Sequence, residues 1–368
     1  MKLRQFFAAA VASALCAATA NAGYRVVSAT KTDLGTLREG IHAEAYDINN
    51  RGQIVGASTD RTGVEQAFMY DGGVMFDLTT SVGPTLSRAH GINRHGTVVG
   101  FFLDGALVQH AFRWDGGVLT PLVEPPSTYR VSSVATAVND SGYIVGLISY
   151  SDLSLSVATM WTDAATSFSL DPALEADRLP SYATDVDAIG HATGYDLTSH
   201  RGWLWKPFDF GDEQMPPPRA PPVDGYILVD TKALGVHKSS GVVGTATYRL
   251  EPDGSRFRAV YWNAVSSRSV DLGTFPGGNS SAADDINDEG FITGWSELPV
   301  PSTRMTRAAF LFHKSFGMYL LPIDKGTACQ ARALNDRKEN GLIQVVGVCY
   351  WGGIERAIRW DVMVEWVP

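Results

Sequence analysis

The chain has 368 residues, 45% of them hydrophobic, and its 30 basic and 39 acidic side chains give a formal net charge of −9. An acidic surface repels phosphate backbones and anionic lipid, which argues against nucleic acid and anionic membranes as partners. So long a chain ordinarily divides into two or more domains, and a repeat array is the exception.

The first predicted element is an export leader. Lys2 and Arg4 precede a small and apolar run over residues 6–20, followed by Ala20, Asn21 and Ala22. A charged start, an apolar segment too short for a permanent span and small residues three and one before the break form a secretory signal peptide over residues 1–22. Gly23 then begins the mature chain, expected to be secreted or periplasmic. Cys16 follows Leu15 rather than a small residue, so it is not read as a lipidation site. Without Lys2 and Arg4 the balance is 28 basic to 39 acidic, a charge near −11. Later apolar runs are broken by Gly, Asp or Arg within a few residues, so the sequence predicts no membrane span and a soluble product.

Next in order, YRVVSATKTDLGTL from Tyr24 has the look of a strand that closes a unit begun elsewhere, because Asp33-Leu34-Gly35-Thr36 matches Asp271-Leu272-Gly273-Thr274. The repeats themselves follow. AYDINNRGQIVG from Ala45, AHGINRHGTVVG from Ala89, ATAVNDSGYIVG from Ala135 and ADDINDEGFITG from Ala283 share one template. ATDVDAIGHATG from Ala183, ALGVHKSSGVVG from Ala233 and ARALNDRKENGLIQVVG from Ala331 are weaker copies, which brings the number to seven. The template asparagine or its substitute falls at Asn49, Asn93, Asn139, Asp187, His237, Asn287 and Asn335, a period near 48 residues. Each copy is followed by a tetrad that is small at its first position and aromatic at its last, as in AFMY at 67–70 and AFRW at 111–114. Asp-Gly-Gly turns and short runs ending in Asp77-Leu78 or Pro121-Leu122 complete the unit.

Each unit therefore reads as four short strands. The Asn-x-x-Gly segment is a tight turn, in which the Asn or Asp side chain bonds backbone two residues on and Gly takes a positive φ. The QIVG, TVVG and YIVG runs are apolar and β-branched on both faces, as suits strands covered on two sides. A four-stranded unit of this size cannot bury both faces alone, so neighbours must stack. Radial stacking into a closed ring removes the exposed edges, and the predicted fold is all-β, a seven-bladed β-propeller over residues 23–368 whose N-terminal strand completes the last blade.

Cys329 and Cys349 are the cysteines of the mature chain. An oxidising compartment and a hairpin that could set them opposite one another favour a disulfide, with two buried free thiols as the alternative; no His or further Cys stands at ligand spacing for a metal.

The A-x-x-I-N-x-x-G-x-V-V-G template, the tetrad ending in an aromatic residue and D-L-G-T, fullest at Thr36-Leu37 and at Thr274-Phe275-Pro276-Gly277-Gly278, resemble the bacterial HAF-repeat family of probable extracellular repeat proteins. The resemblance covers nearly all of the mature chain. It implies export and a repeat β fold and carries no reaction with it. Units four and five depart from the pattern, with Asp187 and His237 in place of Asn.

Chemistry is sparser than architecture. DINNRG from Asp47 and DINDEG from Asp285 resemble the start of a calcium loop, but the twelfth positions are Ser58 and Ser296 where a bidentate Glu is needed, so the expectation is no cofactor, calcium being the one considered. Asp47, His90, Asp185, His237 and Asp285 lie on the expected innermost strands and are candidates to line a central channel, where convergence would permit acid–base or metal chemistry; the plainer role is capping strands and bonding neighbouring blades. Trp203, Trp295, Trp351 and Trp366 lie outside the tetrads and are the candidate surface aromatics for stacking on sugars. The Pro-rich residues 206–224, KPFDFGDEQMPPPRAPPVD, interrupt unit four and are either a binding loop or a tolerated insertion. No G-x-S-x-G, H-E-x-x-H or P-loop motif is present. The sequence thus points to a monomeric, non-catalytic binding or interaction module whose partner is an extracellular protein or glycan. The alternatives are a polysaccharide-acting hydrolase or lyase and a structural or adhesive surface protein.

Overall fold

The structure, a computed structural model, describes residues 22–368 apart from 84, 128–129, 152–154, 171–179, 198, 209–210, 217–226, 238, 240, 251–253, 264–267 and 300–304. The predicted leader over residues 1–22 therefore lies almost wholly outside the described residues, as do residues 217–224 of the Pro-rich segment.

Seven four-stranded antiparallel sheets form the blades of a β-propeller. Six use consecutive strands, at residues 43–77, 87–121, 131–169, 181–214, 227–271 and 281–320. In the seventh, Ala328–Leu334 is innermost, followed by Leu342–Trp351 and Ile354–Val367, and Gly23–Asp33 adds the outer strand antiparallel to Ile354–Val367. One sheet thus holds both ends of the described chain, as the D-L-G-T match predicts. The described residues hold essentially no helix, and Leu37–Glu39 forms a short 3-10 turn.

The repeat template is explained position by position. Its alanines, Ala45, Ala89, Ala135, Ala183, Ala233, Ala283 and Ala331, have no exposed surface and sit on the innermost strands, where neighbouring blades crowd the axis. The next residue is a bulge in all seven blades, a site where pairing with the second strand skips one position. A bulge sharpens local twist and re-aims the following side chain. It also explains the second glycine of the template: a Cβ on Gly146 would lie 2.0 Å from the Val134 carbonyl oxygen, and the equivalent glycines in the other six blades face the same obstruction. Turning between third and outer strands, Gly72 and Gly73 both have positive φ, the conformation a two-residue hairpin of this twist requires.

Blades are joined by hydrogen bonds as well as by apolar packing. The tetrad's first backbone amide donates to a hydroxyl on the next blade's inner strand, as Ala67 does to Ser87 at 3.0 Å, Ala111 to Ser133 at 2.8 Å and Ala158 to Ser181 at 3.0 Å. The tetrad tryptophans reach the other way: the indole of Trp161 donates to the Val123 carbonyl, Trp262 to Pro216 and Trp360 to Pro322, each in the segment that leaves the preceding blade. Part of the Pro-rich segment is thereby absorbed into the fold. Glu213–Gln214 is the outer strand of blade four, and Met215 is buried against blade five.

Cys329 and Cys349 are paired directly across the innermost hairpin of blade seven and form a disulfide with Cα atoms 4.1 Å apart. Tyr24 of the added strand packs against Phe291 and His313 of blade six and Trp366 of its own blade. On the other side, Arg332 meets Glu44 of blade one at 2.6 Å and stacks over Tyr46.

Candidate functional site

The five predicted channel residues occupy three levels of the axis rather than one constellation. Asp47, Asp185 and Asp285 follow the bulges of blades one, four and six, and share a level with Gly91, Ala137, Gly235 and Ala333. His90 is itself the bulge residue of blade two, one level away. His237 lies two positions past the aspartate level, on the rim with the template asparagines, and its Nδ1 is 3.0 Å from the Ser239 hydroxyl. Asp47, Asp185 and Asp285 thus share one level of the axis, and His90 and His237 lie on two others. His90 stands directly after its template alanine, the aspartates two positions after theirs and His237 four after its own, so the three sets lie at different heights.

Each of the three aspartates bonds two blades. Asp47 accepts from its own Ile48 amide at 2.7 Å and from Ile92 of the next blade at 2.7 Å. Asp185 does the same with Val186 and Val236, both at 2.8 Å, and Asp285 with Ile286 at 2.7 Å and Leu334 at 3.0 Å. Each keeps part of its surface exposed although protein surrounds it. Burial outweighs the two amide bonds, so the pKa rises to about 7 at Asp47 and about 6 at Asp185, where the neighbouring Asp187 adds to the rise. Asp285 is driven well above the ordinary carboxylate range by burial and by the charges of Asp185 and Asp47. His90 is also buried, which lowers its pKa to about 4; its Nδ1 donates to the Ala135 carbonyl at 3.0 Å, and its ring meets Tyr46 and Phe101.

The bulge level went unnoticed in the sequence. It carries Tyr46, His90, Thr136, Thr184, Leu234, Asp284 and Arg332, of which Thr136 and Thr184 donate to the next blade's Ala183 and Ala233 carbonyls at 2.9 and 3.0 Å. Asp284 is pushed up to about 7 by burial, and its Oδ2 has no hydrogen-bond partner among the described residues. The signal was available, since all seven stand immediately after the template alanine.

At the turn end the template asparagines form a belt. Asn49 Nδ2 donates to the Asn93 carbonyl at 2.9 Å, Asn93 to Asn139 at 3.0 Å, and Asn139 to Asp187 at 2.7 Å. Their Oδ1 atoms accept amides of their own turns, as at Arg51 and Gln53 for Asn49. Blade six reaches blade seven through Asn287 and Asn335 at 3.1 Å, and blade seven reaches blade one through Asp336 and Asn50, whose side chains meet at 2.6 Å. These oxygens of the calcium-like loops are thus committed to backbone amides. Inside the belt lies a depression of about 220 Å³, bordered by Asp140, Asp187 and Asp336. Among the described residues no group of three or more His, Cys, Asp or Glu side chains is arranged to hold a metal ion.

Larger recesses lie at the blade seams. One of about 490 Å³ runs between blades five and six on the turn face, with Tyr261, Leu272, Ile292 and Phe312 on its apolar side and Asn263, Asp288 and Lys314 on its polar side. Burial and the charge of Asp336 raise Asp288 to about 6. A second, of about 640 Å³, lies on blade seven at the opposite end of the strands, beneath Trp351. The four candidate surface tryptophans divide evenly. Trp351 and Trp366 are 61% and 57% exposed. Trp295 is buried at 7%, with the Arg307 guanidinium 4.2 Å above its ring, and Trp203 is half-buried with its indole bonded to Asp196 at 2.7 Å. Those two are not surface platforms, because each lies on a strand face that packs against the neighbouring side chains.

No protein-family model and no curated protein sequence matches the chain. Solved structures do. YCF48 from Cyanidioschyzon merolae is 10% identical with a TM-score of 0.48, over 90% of this chain and 98% of that one. The SapL1 lectin, in complex with alpha methyl fucoside, is 12% identical with a TM-score of 0.41, over 77% of this chain and 98% of that one. Trypanosoma rangeli sialidase is 10% identical with a TM-score of 0.40, over 90% of this chain and 59% of that one. At these identities the likeness is one of fold.

Proposed function

We propose that the protein is an exported, non-catalytic binding propeller whose ligand, a glycan or an extracellular protein, is received in the recesses between blades rather than on the axis. The observation that carries this reading is the state of the axial polar groups. Asp47, Asp185 and Asp285 each hold two backbone amides, and His90 a carbonyl, so the residues best suited by type to acid–base work are committed to joining blades. The seam between blades five and six, by contrast, combines an apolar wall with polar groups that could orient a ligand, in the volume range of small-ligand sites. The leader over residues 1–22, the HAF-repeat resemblance and the Cys329–Cys349 disulfide support export. Among the described residues no helix is long and apolar enough to cross a membrane.

Screening the purified protein on a glycan array and against secreted proteins tests the reading. Tyr261→Ala is expected to weaken a captured ligand at least tenfold without changing the fold; unchanged affinity would move the site away from this seam. A second reading, a polysaccharide hydrolase or lyase, draws on the raised pKa values of Asp47 and Asp185, since a carboxyl that keeps its proton near neutral pH can serve as a general acid. Release of reducing ends from a polysaccharide panel, lost in Asp185→Asn, would favour it.

A further inference from the structure

The recess beneath Trp351 is built on one face of blade seven. Cys349 pairs with Arg356, and Asp33 with Ile358, so alternation along the strands puts Trp351, Cys349, Arg356, Ile358, Asp33 and Lys31 on the side that faces blade six. The segment carrying Asp324 and Lys325, which leads from blade six into blade seven, overhangs them.

The charges here run against the rest of the molecule. In a chain of net charge −9 the recess holds three cations, Lys31, Lys325 and Arg356, and two carboxylates. Asp324 pairs with Lys31, and Asp33 Oδ1 accepts the Gly35 amide at 2.9 Å, so three cations against two carboxylates leave the recess one net positive charge. Arg356 and Lys325 have no hydrogen bond or ion pair with any described residue, and Arg356 is half-buried. A partly desolvated guanidinium without a counter-ion is costly unless an anion arrives, and its planar fork matches a carboxylate. Trp351 stands at the mouth with most of its ring exposed, held by a turn in which Gly352 and Gly353 both have positive φ. An exposed indole beside an unpaired guanidinium recognises a flat apolar face bearing a carboxylate. A uronic acid ring supplies both.

We propose that this recess binds a uronate unit of an acidic polysaccharide, its carboxylate on Arg356 and Lys325 and its ring face on Trp351. The site rests on the broader reading of the protein as a binding propeller, but lies on a different seam and end from Tyr261.

The test is titration of the disulfide-bonded protein with trigalacturonate and with its neutral methyl ester, followed by tryptophan fluorescence and calorimetry. The acid is expected to bind at least tenfold more tightly than the ester and to change indole emission. Trp351→Ala should abolish the emission change and weaken binding at least tenfold, and Arg356→Gln should remove the preference for acid over ester, while Trp366→Ala, the other exposed tryptophan, leaves all three readouts intact. Equal affinity for acid and ester, unaltered binding by Trp351→Ala, or binding of tetraglutamate as tight as that of trigalacturonate would each overturn the assignment. Ligand capture that persists in Trp351→Ala but is lost in Tyr261→Ala would leave the binding propeller standing and remove this site alone.

Discussion

Asp47, Asp185 and Asp285 show how much one side chain contributes to a ring of blades. Each carboxylate reaches two backbone amides that face the axis, one from each of two blades, where no strand is present to accept them. The template glycines act at the same scale through an absence. With the Val134 carbonyl 2.0 Å from where a Cβ would stand, Gly146→Ala forces the inner strand off its bulge. Overpacking of this kind costs about 1–3 kcal/mol. A denaturant titration is expected to show that loss for Gly146→Ala, whereas Gly105→Ala, with open space around its Cβ position, leaves the midpoint almost unchanged. These glycines recur in every repeat, and the reason is a bulge on the partner strand, which the repeat alone does not reveal.

At the scale of the element, blade seven differs from the other six. Its outer strand comes from the far end of the chain, so its stability depends on pairing between residues some 340 positions apart, as in the contact of Arg25 with Glu365. The disulfide lies in the inner hairpin of the same blade and closes a loop with a separation of 20 residues. Loop-closure entropy gives such a crosslink about 3 kcal/mol. Cys329→Ser/Cys349→Ser is expected to lower the thermal midpoint by several degrees and to raise the susceptibility of blade seven to proteolysis before the remaining blades. Simultaneous cleavage throughout the chain would indicate that the ring opens as one unit. Both features were legible in the sequence, from the D-L-G-T match and from the positions of the cysteines, because strand closure and hairpin register leave marks that local pattern can carry.

At the scale of the whole molecule, the axis sets a dependence on pH. The aspartyls at 47 and 185, and Asp284 beside them, hold their protons to about pH 6–7 in the fold but release them near 3.8 when unfolded, and Asp285 shifts in the same direction. Their contribution to stability is fully present below pH 4 and is lost as pH rises through 6 to 7. His90 works in the opposite sense: with its folded pKa depressed to about 4, its contribution is present above pH 6.5 and is lost as pH falls toward 4. Four carboxyls outweigh one imidazole, so the melting temperature is expected to be higher at pH 5.5 than at pH 8. Calorimetry across that range checks it, and a midpoint that climbs toward pH 8 would contradict the buried state of the axial carboxyls.

The strands, the turns, the number of blades and the strand that closes the ring were legible along the chain, because short β-branched runs, glycine-bearing turns and a repeat near 48 residues are local and recur seven times. What the polar residues do depends on the folded ring. The backbone amides of the next blade occupy Asp47, Asp185 and Asp285, the packing of neighbouring side chains hides Trp203 and Trp295, and the crossing of four chain segments at blade seven assembles Trp351, Arg356 and Lys325 around one recess. Facing across a seam is a relation between residues far apart in sequence, and a repeat pattern, which is the same in every blade, cannot record where one seam differs from another.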